Sequence, residues 1–192
     1  MKKTITKTVI IVFALLMTKL SLAQKGLQLN LDYNIATPLG KDFKRHVDKT
    51  SFGSFQASLL YGITPKFKLG VQSSHTDFHQ KKTAAIENSI KVTPVLLKAE
   101  YSFIVKGTLR PFIGFGTGFN AVRVDKRVND QKHISTYTKW GYSGDAGVLI
   151  ALTRSGKYGI RVSTSYNDRP LKKEQIKRVD SWDVQAGLTI HL

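Results

Sequence analysis

A period of two constrains this chain more than any other feature. In residues 182–192, Trp182, Val184, Ala186, Leu188, Ile190 and Leu192 alternate with Asp183, Gln185, Gly187, Thr189 and His191. Successive strand side chains point to opposite faces, so the segment reads as a strand with one apolar and one polar side. At the other end, Leu27, Leu29, Leu31, Tyr33 and Ile35 oppose Gln28, Asn30, Asp32 and Asn34 in the same way. Six further segments, near 53–63, 67–75, 93–103, 109–121, 139–152 and 157–167, keep the period less cleanly. The expectation is eight strands with no helix between them.

The connections follow a rule of their own. Those at 64–66, 105–108 and 153–156 are short, and those at about 36–52, 76–92, 122–138 and 168–180 are long and polar. Long and short alternate along the whole chain. An up-and-down antiparallel sheet places successive connections at opposite ends, so tight turns gather at one end and long loops at the other. Outer-membrane barrels have this asymmetry, with short turns on the periplasmic side.

Alternation alone fits both a soluble sandwich and a membrane barrel. The filling of the polar face separates them. A face that meets water is typically rich in Lys, Glu and Thr, whereas the lumen of an eight-stranded barrel has room only for packed side chains. Here the polar parity is dominated by Gly and Ser: Ser54, Ser58, Gly62, Gly70, Ser74, Ser102, Gly114, Gly116, Gly118, Gly141, Ser143, Gly147, Gly159, Ser163, Ser165 and Gly187. Its charged members are Asp32, Lys68, Lys98, Glu100, Arg110, Asp145, Arg161 and Asp183. The opposite parity is apolar, with Tyr33, Tyr61, Phe67, Tyr101, Phe103, Trp140, Tyr142, Tyr166 and Trp182 towards strand ends, where interfacial girdles lie. This predicts lipid outside and Gly/Ser inside; a soluble lipocalin-like binding protein is the alternative.

Residues 1–23 have the pattern of a cleaved signal peptide. Lys2, Lys3 and Lys7 precede an apolar run at 9–17, and Ser21-Leu22-Ala23 offers small residues for cleavage before Gln24. Lys19 interrupts the run short of the 18 or so apolar residues that a spanning helix needs. Residues 24–192 are then a single barrel domain. Loss of Lys2, Lys3, Lys7 and Lys19 takes the 30 basic residues to 26 against 13 acidic, so the net charge falls from +17 to +13. With no cysteine, an exported chain has no disulfide framework and no thiolate metal site, so packing alone must stabilise it.

Three stretches carry a resemblance: 61–70 (YGITPKFKLG), 94–103 (PVLLKAEYSF) and 110–118 (RPFIGFGTG). In these hairpin and strand patterns the chain resembles the small eight-stranded outer-membrane barrels, OmpA-like and OmpX-like, over residues 26–192. The resemblance implies an integral protein of the outer membrane of a Gram-negative-type envelope, assembled by the barrel-insertion machinery and in contact with membrane lipid and lipopolysaccharide. It also implies a monomer. The chain departs from the family's final aromatic residue, having Leu192 there, and no C-terminal peptidoglycan-binding domain is expected.

Chemistry is thinly represented. A charge inside a barrel must be paired, because desolvating it alone costs several kcal/mol. Ser102 is expected opposite Arg110, with Glu100 within diagonal reach of the guanidinium and Lys98 beside Gly114. Asp32, Asp145, Arg161 and Asp183 lie on strands that closure makes neighbours or near-neighbours. The expected site is therefore a mixed-charge lumen network of Asp32, Lys98, Glu100, Arg110, Asp145, Arg161 and Asp183 that plugs the barrel; a proton or ion path is the alternative.

The histidines are His46, His75, His79, His133 and His191. Ser74-His75-Thr76-Asp77-Phe78-His79 holds a Ser, an Asp and two His near the outer mouth, which raises a lipid-A-modifying hydrolase or a metal pair. No GxSxG elbow accompanies it, and the i,i+4 His spacing has meaning on a helix rather than a strand. Neither catalysis nor a cofactor or metal is expected. The long loops carry net charges of +2, +1, +2 and +2 in chain order, suited to lipopolysaccharide phosphates. Nucleic acid is not an expected partner: the charge is dispersed over loops and no recognition motif is present. Expected roles are envelope integrity, adhesion or ligand contact through those loops.

Overall fold

The computed structural model describes residues 26–192 apart from 45, 46, 48, 84, 85, 129, 130, 174 and 175, with side chains outside 80–88, 126–133 and 172–176. Residues 1–23, read as a signal peptide, lie outside the described residues, as does His46. The elements in chain order are β1 (Leu27–Pro38), α1 (Lys41–Lys44), β2 (Ser51–Gly62), β3 (Phe67–Thr83), β4 (Ile86–Ser102), β5 (Leu109–Val128), β6 (Gln131–Ala151), β7 (Tyr158–Asp168), β8 (Pro170–Lys173), β9 (Ile176–Arg178) and β10 (Ser181–His191). Strands β1 to β7 and β10 close into an eight-stranded antiparallel barrel in the order β1-β10-β7-β6-β5-β4-β3-β2. Closure joins the two terminal strands, pairing Leu29 with Ile190 and Asp32 with Gly187. β8 and β9 form a small separate sheet. Among the described residues no helix is long and apolar enough to cross a membrane; the barrel crosses with strands.

The facing follows the parity. Gln28, Asn30, Asp32 and Asn34 are buried inside, as are Ser54, Ser58, Ser143, Ser163 and Ser165. Leu31, Tyr33, Phe55, Leu97, Phe115, Phe119, Trp140, Val184 and Leu188 are exposed on the outer wall. Aromatics pair across strands near the outer edge. Phe119 and Trp140 are register partners with ring centroids 4.8 Å apart, and Trp182 is the partner of Tyr166. A band of exposed apolar side chains bounded by aromatics is what lipid contact requires.

Strand lengths divide the barrel into a low and a high wall. β1, β2, β7 and β10 have 11 or 12 residues, close to the roughly 9–11 that a tilted strand needs to cross the hydrocarbon. β3 to β6 have 17 to 21 and stand side by side. The segments 76–92 and 122–138, read from the sequence as loops, are therefore largely strand, and the β3–β4 and β5–β6 hairpins continue beyond the membrane. Their chemistry inverts there. On β5, inward Gly114, Gly116 and Gly118 give way to inward Val122 and Val124, while outward Phe115 and Phe119 give way to Arg123, whose guanidinium binds outward Asp125 at 2.8 Å. Above the lipid the outer side meets water, so the apolar parity must change faces.

That inversion creates a core at the outer mouth. Phe78, Ile90, Val92, Val122 and Val124 from the high wall enclose Ala36, Phe43, Val47, Leu171 and Val179 from β1 and the segments beside the low wall. Phe43 on α1 meets Phe78 edge to face, centroids 5.2 Å apart. The Leu39 amide donates to the Asp180 carbonyl at 2.8 Å, which ties two of these segments together.

Candidate functional site

Within the membrane-spanning part, Glu100 and Asp145 share one register row with Gly114 between them. A side chain at Gly114 would collide with the Asp145 carboxylate, so the bare glycine lets both carboxylates lean to one point. Arg161, arriving from β7, fills that point. Its Nη1 donates to Glu100 Oε2 at 2.6 Å and its Nη2 to Asp145 Oδ2 at 3.0 Å. Lys98 Nζ donates to Asp145 Oδ1 at 2.8 Å, and Lys68 Nζ to Glu100 Oε1 at 3.1 Å. The Arg161 guanidinium also lies 3.6 Å from the centroid of the inward Phe112 ring, a favourable face for a cation.

A chain of ion pairs, Lys68–Glu100–Arg161–Asp145–Lys98, thus crosses the lumen. Lys98, Glu100, Asp145 and Arg161 are buried and Lys68 nearly so. Three cations meet two anions in it, and a third carboxylate, Asp32, lies nearby with 4% exposure. Asp32 sits over Gly187, the register partner of both Asp32 and Arg161. Its Oδ2 accepts from Gln56 Nε2 at 3.4 Å. Neighbouring amides extend the network: Gln72 donates to Gln56 at 3.0 Å, Gln185 to Ser165 at 2.8 Å, and Asn30 to Ser58 at 2.8 Å.

Two residues expected in this network stand apart. Arg110 does not reach Glu100; its Nε donates to the Gly107 carbonyl at 3.0 Å, at the turn end. The cause is register. The turn pivots on Gly107, at φ 95°, one residue beyond the centre inferred from the sequence. The ladder slides by two, so Ser102 faces Phe112 and Lys98 faces Gly116 rather than Gly114. Asp183 is the second exception. It lies four residues along β10 from Gly187, roughly 13 Å from the level of Arg161, and its Oδ2 accepts from Asn167 at 2.9 Å. Conversely, Lys68 belongs to the chain, which its pairing with Glu100 in the β3–β4 register explains.

The Ser74–His79 cluster is separated by the wall. Ser74 is buried on the lumen side, while neighbouring His75 faces outward with Nδ1 3.1 Å from Thr93 Oγ1. Ser74 and His75 cannot act as a nucleophile–base pair across the sheet. Asp77, also outward, pairs with Lys91 at 3.4 Å. Among the described residues no group of three or more His, Asp or Glu is placed to hold a metal ion.

The family model for the outer membrane protein beta-barrel domain matches residues 8–191. The chain belongs to that family. Among solved structures this barrel is similar to neisserial surface protein A (TM-score 0.57, 18% identity), covering 88% of this chain and 98% of that one. It is similar to OprG from Pseudomonas aeruginosa (TM-score 0.55, 13% identity, 87% and 96% covered). A third similar structure is Ail, the attachment invasion locus protein of Yersinia pestis, in complex with the heparin analogue sucrose octasulfate (TM-score 0.52, 13% identity, 86% and 97% covered). At these identities the likeness speaks for the fold. Among curated proteins, none matches the sequence.

Proposed function

We propose that this outer-membrane barrel works in a Gram-negative-type envelope as a sealed surface protein. It would serve envelope integrity, adhesion or ligand contact through its outer face, and pass no solutes. The observation that carries the reading is the Arg161 clamp on Glu100 and Asp145. It crosses a lumen that an eight-stranded barrel makes only wide enough for side chains. The apolar core at the outer mouth is a second closure in series.

The outer loops supply the contact surface. Each of the four long connections carries net positive charge, which favours phosphate-rich partners such as lipopolysaccharide. The sucrose octasulfate complex of Ail shows a polyanion with a barrel of this fold, the same charge class that these loops suit. Catalysis has no place in the reading, because the wall separates Ser74 from His75. Barrel-insertion machinery and lipid are the remaining partners, and the protein would act as a monomer.

Single-channel recording of the refolded barrel in planar bilayers tests the seal. A quiet baseline is expected; stable conductance steps of pore size would overturn it. Retention of the same protein on immobilised lipopolysaccharide should fall steeply with added salt if the loops make the contact.

A further inference from the structure

Arg110, which the lumen does not use, points to a second site. The three tight connections, at 63–66, 103–108 and 152–157, carry Lys66, Lys106, Arg154 and Lys157, with Arg110 beside them, and contain no acidic residue. Among the described residues none of these five cations takes part in an ion pair. A cavity of about 310 Å³ opens between the second and third turns, its lining including Thr108, Arg110, Leu152, Thr153 and Arg154.

The Arg110 fork is oriented before any ligand arrives. Its Nε is held by the Gly107 carbonyl, and its Nη2 lies 2.7 Å from where a Cβ on Gly156 would stand. Gly156, at φ 70°, leaves that space to the guanidinium. Planar forks of this kind match phosphate oxygens in pairs, and threonine hydroxyls can take a remaining oxygen. Around the same rim Phe103, Ile104, Leu109, Leu152 and Tyr158 are exposed. Cations directly above apolar side chains complement an amphiphile, with phosphate on the arginines and acyl chains along the wall; a free anion would use only the first half.

We propose that the turn end is a binding site for anionic glycerophospholipid, its phosphate diester held by Arg110 and Arg154. The assignment of this end to the periplasmic leaflet rests on the orientation used above, but the binding chemistry does not. The test offers equimolar phosphatidylglycerol and phosphatidylcholine to the mature barrel refolded in zwitterionic micelles, with bound lipid read by native mass spectrometry. The expected preference for phosphatidylglycerol is roughly tenfold, about threefold from each of the two arginines beside an anionic headgroup. R110Q/R154Q should lose most of it and R110K/R154K should keep part. Inorganic phosphate at the lipid concentration should not displace the lipid.

No preference, an unchanged preference in R110Q/R154Q, or full displacement by inorganic phosphate would each overturn the proposal. Heat-modifiable migration reports folding of each variant. Should R110Q/R154Q not fold, R154Q alone on its exposed turn carries the test, with about a threefold loss expected. Conducting steps in a bilayer would sink the sealed-lumen reading and leave this measurement intact, so the two fail separately.

Discussion

The membrane-level lumen and the outer mouth are built on the same inward parity of the same strands, yet only the lumen holds an ion-pair chain, while the mouth is closed by apolar packing. On β4 the inward series runs from Ile90 and Val92 at the outer level to Lys98 and Glu100 in the membrane. At the upper level apolar side chains from α1 and the β8–β9 segment close the space by packing. Below, where lipid takes the outward apolar groups, the space is filled by charges and amides that must satisfy one another, with Leu60, Leu96, Phe112 and Leu149 packed beside them. Packed cores tolerate loss of a member as a graded cost, whereas an ion-pair chain fails abruptly when one partner goes, because the others are left charged in a low-dielectric interior. The two levels should therefore break in different ways.

The largest effect is expected at the clamp. Arg161→Leu leaves Glu100 and Asp145 without their shared cation and should cost about 3–5 kcal/mol in urea unfolding of the refolded barrel. The variant K68M/K98M/E100Q/D145N/R161M, which removes the whole ion-pair chain together, should lie much closer to wild type. Equal losses in the two would mean that coupling, and with it the contrast with the outer core, is absent. Next comes the facing itself. Val148→Arg, on the lipid side, should destabilise by about 2–4 kcal/mol, while inward Ser143→Thr should be far milder. The same unfolding curves read both, and a reversed order would turn the wall inside out.

A local failure is expected at the outer mouth. Phe43→Ala removes the ring that meets Phe78, and the lost packing of about 3 kcal/mol should open the cap rather than the barrel. Limited proteolysis near residues 39–50 should accelerate on the order of a hundredfold, with little change in global unfolding. The smallest effect is the pH response of that cap. Burial, and then the neighbouring Asp168 charge, push the Asp180 carboxyl above its ordinary range. A raised acid pKa stabilises the fold at low pH, and this contribution is lost as pH rises through the folded value. Proteolysis of the cap should therefore quicken modestly from about pH 4 to about pH 7, and Asp180→Asn should flatten that slope.

The sequence by itself determined the eight-stranded up-and-down fold and its facing. Alternation is a local property of each strand, and the Gly/Ser parity records how little room lies inside. It also marked Lys98, Glu100, Asp145 and Arg161 as inward charges that needed partners. It did not reveal how far β3 to β6 extend, because inverted facing above the lipid looks like the end of a pattern when only one environment is assumed. The partners themselves were decided by tertiary structure. A one-residue shift of the turn onto Gly107 removes Arg110 from the lumen, and closure brings Arg161 to Glu100 across 61 positions of chain. Register and closure are collective properties of all eight strands, so no segment encodes them alone.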